Sequence, residues 1–131
     1  MTFSSFIAFF ILLIACQPAE AQDLSIYQKK WFTQSGDSMP YRLALPENYD
    51  PAKKYPLILF LHGSGERGND NEAQLAHAGK IFAASSFRHQ YQAIVLFPQC
   101  SENGYWSNVE RHEDAKALLE RYIFKNGGDP T

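Results

Sequence analysis

Cysteine is scarce in this chain: Cys16 and Cys100 are the only two, and neither falls in a CxxC or Cys/His spacing that could close a zinc site. No metal is therefore implied. Charge of one sign is lacking as well, with 12 Lys plus Arg against 14 Asp plus Glu and a formal net charge of -2. A balance of that kind supplies no basic surface for a nucleic-acid backbone or an anionic membrane, so neither is expected as a partner. No apolar run is long enough to span a bilayer; the longest, Phe6 to Ala15, falls well short of the roughly 20 residues a spanning helix needs. What is present is 131 residues at 45% hydrophobic and 15% aromatic, the balance of a globular chain with room for one domain.

The Phe6 to Ala15 run has the length of a signal-peptide core, and residues 1–21 are read as an export signal, with the domain proper over 22–131. Ala19-Glu20-Ala21 offers an A-x-A cleavage site before Gln22. Leu13-Ile14-Ala15-Cys16 offers a lipoprotein box instead, in which Cys16 would carry a lipid anchor. Both remain open, and Met1 to Ser5 lacks the basic residue with which such signals usually begin. An exported chain would be periplasmic or extracellular.

From Trp31 the pattern is of an α/β kind. Trp31 to Thr33 and Met39 to Leu45 flank a Gly- and Asp-containing turn and predict an antiparallel hairpin. Leu57-Ile58-Leu59-Phe60-Leu61 and Ala93-Ile94-Val95-Leu96-Phe97 are continuous apolar runs, as expected of strands buried on both faces of a parallel sheet. Between them, about Asn71 to Arg88 has helical character, which makes a strand-crossover-strand unit. Ser107 and Glu110 form a capping-box pattern. Ala115, Leu118, Leu119, Tyr122 and Ile123 then follow at helical spacing, with Glu113, Asp114, Lys116, Glu120 and Arg121 on a solvated face and Asn126-Gly127-Gly128 as the exit.

The chemically informative segment is His62-Gly63-Ser64-Gly65-Glu66-Arg67-Gly68, at the end of a buried run. Gly63, Gly65 and Gly68 match the GxGxxG dinucleotide fingerprint, but acidic Asn69-Asp70-Asn71-Glu72 follows where a pyrophosphate would need a helix N-terminus. The next strand run also ends at Phe97-Pro98-Gln99 without a ribose-binding acid, so no nicotinamide or other cofactor is expected. Glycines in such a loop have another use. They let backbone N–H groups approach a carbonyl oxygen that gains negative charge during acyl transfer, and each donor of that kind is worth about 3 kcal/mol. A His-Gly after the third strand is the pattern described for lipases and esterases.

Leu45-Pro46-Glu47-Asn48-Tyr49-Asp50-Pro51, Lys53-Lys54-Tyr55-Pro56-Leu57, the Leu61 to Gly68 segment, and Phe97-Pro98-Gln99 with Trp106 together resemble secreted bacterial α/β-hydrolases. They are similar in particular to the phospholipase/carboxylesterase group, also described as predicted peptidases, related to polyhydroxybutyrate depolymerase-like esterases. The resemblance runs from about Trp31 to Tyr122. It implies the N-terminal portion of an α/β-hydrolase fold: an antiparallel hairpin leading into a mostly parallel sheet with covering helices, ending before the nucleophile elbow. It also implies an acyl-serine mechanism on a small-molecule or polymeric ester, with the oxyanion donor at Ser64, Gly65 the neighbouring candidate, and His62 and Gly63 supporting the motif. Glu66 and Arg67 would shape the loop beside the crevice.

The departure from that pattern is the nucleophile. No serine here lies in G-x-S-x-G; Ser64, Ser101 and Ser107 all sit in other contexts, so no member of the triad is present and this chain by itself is expected to be inactive. His77, His89 and His112 lie in polar segments and read as solvated residues. Glu113 and Asp114 are adjacent on a helix, diverge by about 100° and cannot flank one bond. Cys100 reads as a small buried thiol rather than a nucleophile, and Tyr49, Tyr55, Tyr105 and Trp106 either line a pocket or pack loops. The alternative function is a non-catalytic exported α/β binding domain or an inactive gene fragment.

Overall fold

A computed structural model of the protein describes residues 23–34 and 36–125. The export signal, Cys16 and the Asn126-Gly127-Gly128 exit lie outside the described residues. Strands β1 (Gln28–Gln34) and β2 (Asp37–Ala44) form the expected hairpin, antiparallel with Trp31 opposite Pro40. Gly36 turns the chain at φ 88, a left-handed conformation that only glycine takes at little cost. Strand β3 (Leu57–Leu59) and strand β4 (Ile94–Pro98) pair in parallel, and β2 pairs with β4 antiparallel, so the sheet order is β1-β2-β4-β3. The parallel part of the sheet is represented among the described residues by β3 and β4.

Strand β4 sits inside the sheet and is buried along its whole length, which explains its unbroken apolar run. Its side chains alternate between two cores. Ile94 and Leu96 join Phe32, Tyr41, Leu43 and Leu118 on one face, while Val95 and Phe97 join Tyr27, Ala44, Leu75 and Ala78 on the other. Strand β3 is shorter than the Leu57 to Leu61 run: the Phe60 N–H still donates to the Leu96 carbonyl at 2.9 Å, but Leu61 is 42% exposed.

The crossover is not one helix over Asn71 to Arg88. It consists of a 3₁₀ turn at Ala73–Leu75, then α1 (Gly79–Ala83) and α2 (Ser85–Gln90), with Ala84 extended between the two helices at ψ 133. The upstream break has a clear cause in Asn71, which is buried with φ 55. Its N–H donates to Gln99 Oε1 at 2.8 Å, its Nδ2 to the Lys30 carbonyl at 3.1 Å, and its own carbonyl accepts from Arg42 Nε at 2.6 Å. Those tertiary bonds outweigh the continuous pattern the local sequence suggests.

Helix α3 (Val109–Lys125) covers the first core with Ala115, Leu118 and Tyr122, the face that the spacing predicts. Its start differs from the expectation by one residue: the Asn108 carbonyl accepts from the His112 N–H at 2.9 Å, so Asn108 occupies the N-cap position and the Ser107–Glu110 capping box is out of register. Asp114 is half-buried rather than solvated, because Arg111 reaches it at 3.1 Å and also pairs with Asp37. Burial pushes the Asp114 carboxyl up, opposed by the Arg111 guanidinium.

Candidate functional site

Because β3 and β4 are parallel, the loops that follow them leave the same edge of the sheet, where crevices of open α/β sheets lie. The first loop carries His62 to Gly68, and the second runs from Gln99 to Asn108. They meet through His62, which is buried. The Cys100 N–H donates to His62 Nε2 at 2.9 Å, so that nitrogen is the acceptor and the ring proton sits on Nδ1. Nδ1 in turn donates to the Gly63 carbonyl at 2.6 Å. Trp106 Nε1–H donates to the His62 carbonyl at 3.1 Å, and the indole meets the imidazole edge-on at 5.2 Å. His62 thus joins the two loops.

Past His62 the chain makes a single 3₁₀ turn, Ser64–Glu66, entered from Gly63 with no side-chain cap. The Glu66 N–H closes the turn on the Gly63 carbonyl at 3.4 Å. The Ser64 and Gly65 N–H groups, first in the turn, have no acceptor among the described residues. A cavity of about 60 Å³ opens beside them, walled by His62, Gly63, Ser64, Arg67, Cys100, Tyr105 and Trp106. Ser64 is part of that wall, and Gly65 lies outside it.

Arg67 braces this turn. Its Nε donates to the Ser64 carbonyl at 2.8 Å, one terminal nitrogen reaches the Gly104 carbonyl at 3.4 Å, and the guanidinium lies 4.5 Å over the Tyr105 ring. Glu66 turns the other way, to His77 Nε2 at 2.8 Å. Underneath, Gln99 is fully buried and holds three residues of the stretch after β3: Nε2 donates to Asp70 Oδ1 at 2.8 Å and to the Glu66 carbonyl at 3.2 Å, and Oε1 accepts from the Asn71 N–H. Spacing offered no signal for Gln99 or for the Arg67–Gly104 bond, whose partners lie far along the chain, whereas the Arg67–Ser64 bond is local to the turn.

The remaining candidates are placed as follows. Cys100 is 1% exposed, and burial pushes its thiol up, against weaker opposing pulls from Arg111 and Arg67. A thiol so held is a poor nucleophile. His77 pairs with Glu66, His89 pairs with Glu47 at 3.0 Å, and His112 is exposed; none of them walls the cavity. Tyr105 and Trp106 wall the cavity, whereas Tyr49 and Tyr55 pack together at 5.3 Å in the loop before β3. Among the described residues, no cluster of His, Cys, Asp or Glu has metal-binding geometry, and no helix is long and apolar enough to cross a membrane.

Comparison with solved structures decides the fold. A thermostable esterase superposes with a TM-score of 0.75 at 28% identity, over 81% of this chain and 32% of its own. The chain has the N-terminal α/β-hydrolase fold. A thermostable esterase from Pseudomonas putida matches at TM-score 0.53 and 16% identity, over 82% of this chain and 33% of its own. A CE1 ferulic acid esterase from Anaeromyces mucronatus, in complex with ferulic acid, matches at 0.52 and 14%, over 78% and 43%. The chain therefore spans about a third of the length of the first of these structures. No protein-family model and no curated protein matches it.

Proposed function

We propose that this sequence is the N-terminal part of an exported serine hydrolase of the phospholipase/carboxylesterase group, acting on carboxylic esters, and that it carries the oxyanion-hole half of the site. The observation that carries the reading is that the Ser64 and Gly65 N–H groups, past the carboxyl end of β3, have no acceptor among the described residues, with Ser64 in the wall of a mostly apolar cavity. A serine oxygen attacks the ester carbonyl, and the carbonyl oxygen takes up negative charge. The Ser64 N–H, with Gly65 as its neighbour, donates to that oxygen, while the second donor follows the nucleophile. Collapse of the tetrahedral species releases the alcohol and leaves an acyl-serine, which water then cleaves to the acid. In this reading the nucleophile, its histidine and its acid lie outside the 131 residues, because no serine of the sequence stands in G-x-S-x-G.

The test is turnover of short-chain p-nitrophenyl esters by the longest polypeptide that carries this sequence, together with translation of the DNA downstream of the Thr131 codon. Expected are hydrolysis above buffer and a G-x-S-x-G beginning within about twenty residues, the reach of a strand and its elbow. A stop codon with no elbow, and no turnover, would overturn the reading and leave a non-catalytic binding domain.

A further inference from the structure

We infer that Arg67 is a positioning residue that sets the direction of the Gly65 N–H, an inference that rests on the ester-hydrolase reading above. In a trans peptide the C=O of one residue and the N–H of the next are coplanar and point in opposite directions, so a hydrogen bond to the carbonyl also fixes where the N–H is aimed. The Gly65 N–H shares its plane with the Ser64 carbonyl, and that carbonyl accepts from Arg67 Nε at 2.8 Å. Arg67 therefore holds the Gly65 N–H facing away from itself.

The neighbouring plane is built the same way. The Ser64 N–H shares its plane with the Gly63 carbonyl, which accepts from His62 Nδ1 at 2.6 Å. Two successive donor peptides are thus held from their carbonyl sides by two side chains, leaving both N–H groups without an acceptor. Donation into a carbonyl also polarises the N–H of the same peptide and makes it a stronger donor.

Arginine suits this task better than lysine. Its planar fork bonds the Ser64 and Gly104 carbonyls together while its face lies on Tyr105, so the loop after β3 and the loop after β4 are locked to one another at the cavity wall. Arg67 is part of the cavity wall, and its hydrogen bonds go to the Ser64 and Gly104 carbonyls. Its effect on the reaction runs through the peptide it holds.

The experiment has an arm that needs no activity. A scalar coupling across the hydrogen bond, from Arg67 Nε to the Ser64 carbonyl carbon, is expected in the NMR spectrum, and Arg67→Lys should remove it and shift the Gly65 amide resonance. Absence of the coupling overturns the inference whatever the protein catalyses. In the active polypeptide, Arg67→Ala should lower kcat by about 10- to 100-fold, less than deletion of a whole donor, with KM within about twofold. Arg67→Lys should recover part of that loss, and millimolar methylguanidinium should raise the kcat of Arg67→Ala. An unchanged kcat, or a loss that tracks a fall in Tm and is not rescued, overturns the inference. Absence of turnover by the unsubstituted polypeptide overturns the esterase reading instead, and the coupling still reports whether Arg67 holds the peptide.

Discussion

Replacing Gln99 tests the support beneath the site. Its side chain is fully buried, accepts from the Asn71 N–H, and donates to the Glu66 carbonyl and to Asp70. In Gln99→Ala, the buried Asn71 N–H loses its acceptor at a cost of about 1–3 kcal/mol. The half-buried Glu66 carbonyl adds about 1 kcal/mol, and Asp70 is exposed and rehydrates at little cost. The expected loss of unfolding free energy is therefore about 2–4 kcal/mol. Gln99→Glu keeps an acceptor for Asn71 but sets a carboxylate against Asp70 Oδ1 and the Glu66 carbonyl, where an amide stood at 2.8 and 3.2 Å. Burial and the Asp70 charge both raise the folded-state pKa of the introduced group above its unfolded value. Gln99→Glu is thus destabilised most at neutral pH and recovers as pH falls through the raised value toward the unfolded one. Urea titration followed by Trp fluorescence at pH 7 and pH 5 measures both effects. A Gln99→Ala variant within about 0.5 kcal/mol of the parent, the range of an ordinary surface change, would refute the assigned role. So would a Gln99→Glu variant whose deficit does not change with pH.

Cys100 should react slowly with a thiol reagent in the native protein and fast in urea, because it is buried and its thiol is pushed up; equal rates would refute its burial. Acid should destabilise the fold through Asp37, held low chiefly by Arg111, Asp70, held low chiefly by the Glu72 N–H, and Glu72, held low chiefly by Lys29. Their folded pKa values lie below the unfolded ones, so this stability is present above the ordinary carboxylate range and is lost as pH falls through the lower folded values. Urea midpoints at pH 5 and pH 3 measure it, with a modest drop expected because these carboxylates are solvated; an equal or higher midpoint at pH 3 refutes it. Gly79→Ala should destabilise by about 1–3 kcal/mol, because the new Cβ would lie 2.9 Å from Leu75 Cβ; a stabilised variant would contradict that packing. The outer edge of β3 carries no charge, unlike β1 with Lys29 and Lys30, so the 131-residue chain by itself should associate with increasing concentration. Sedimentation showing a monomer throughout would refute that.

The hairpin, the two parallel strands and the buried face of α3 were legible in the sequence, because each is written in a local period, although of the two strands β4 is buried throughout and β3 is half-buried. The loop His62 to Gly68 was legible too, since glycine spacing after an apolar run is also local. The tertiary structure decided what no local pattern encodes. It ended β3 at Leu59, broke the crossover at Asn71 and at Ala84, and moved the α3 cap to Asn108. It also joined Arg67 to the Gly104 carbonyl and Gln99 to Glu66 and Asp70, partners brought close only when β4 inserts between β2 and β3. Sequence periodicity fixes which side of an element is apolar. Which polar groups share a buried space depends on the order of strands in the sheet, and buried donors and acceptors find their partners only after that order is set.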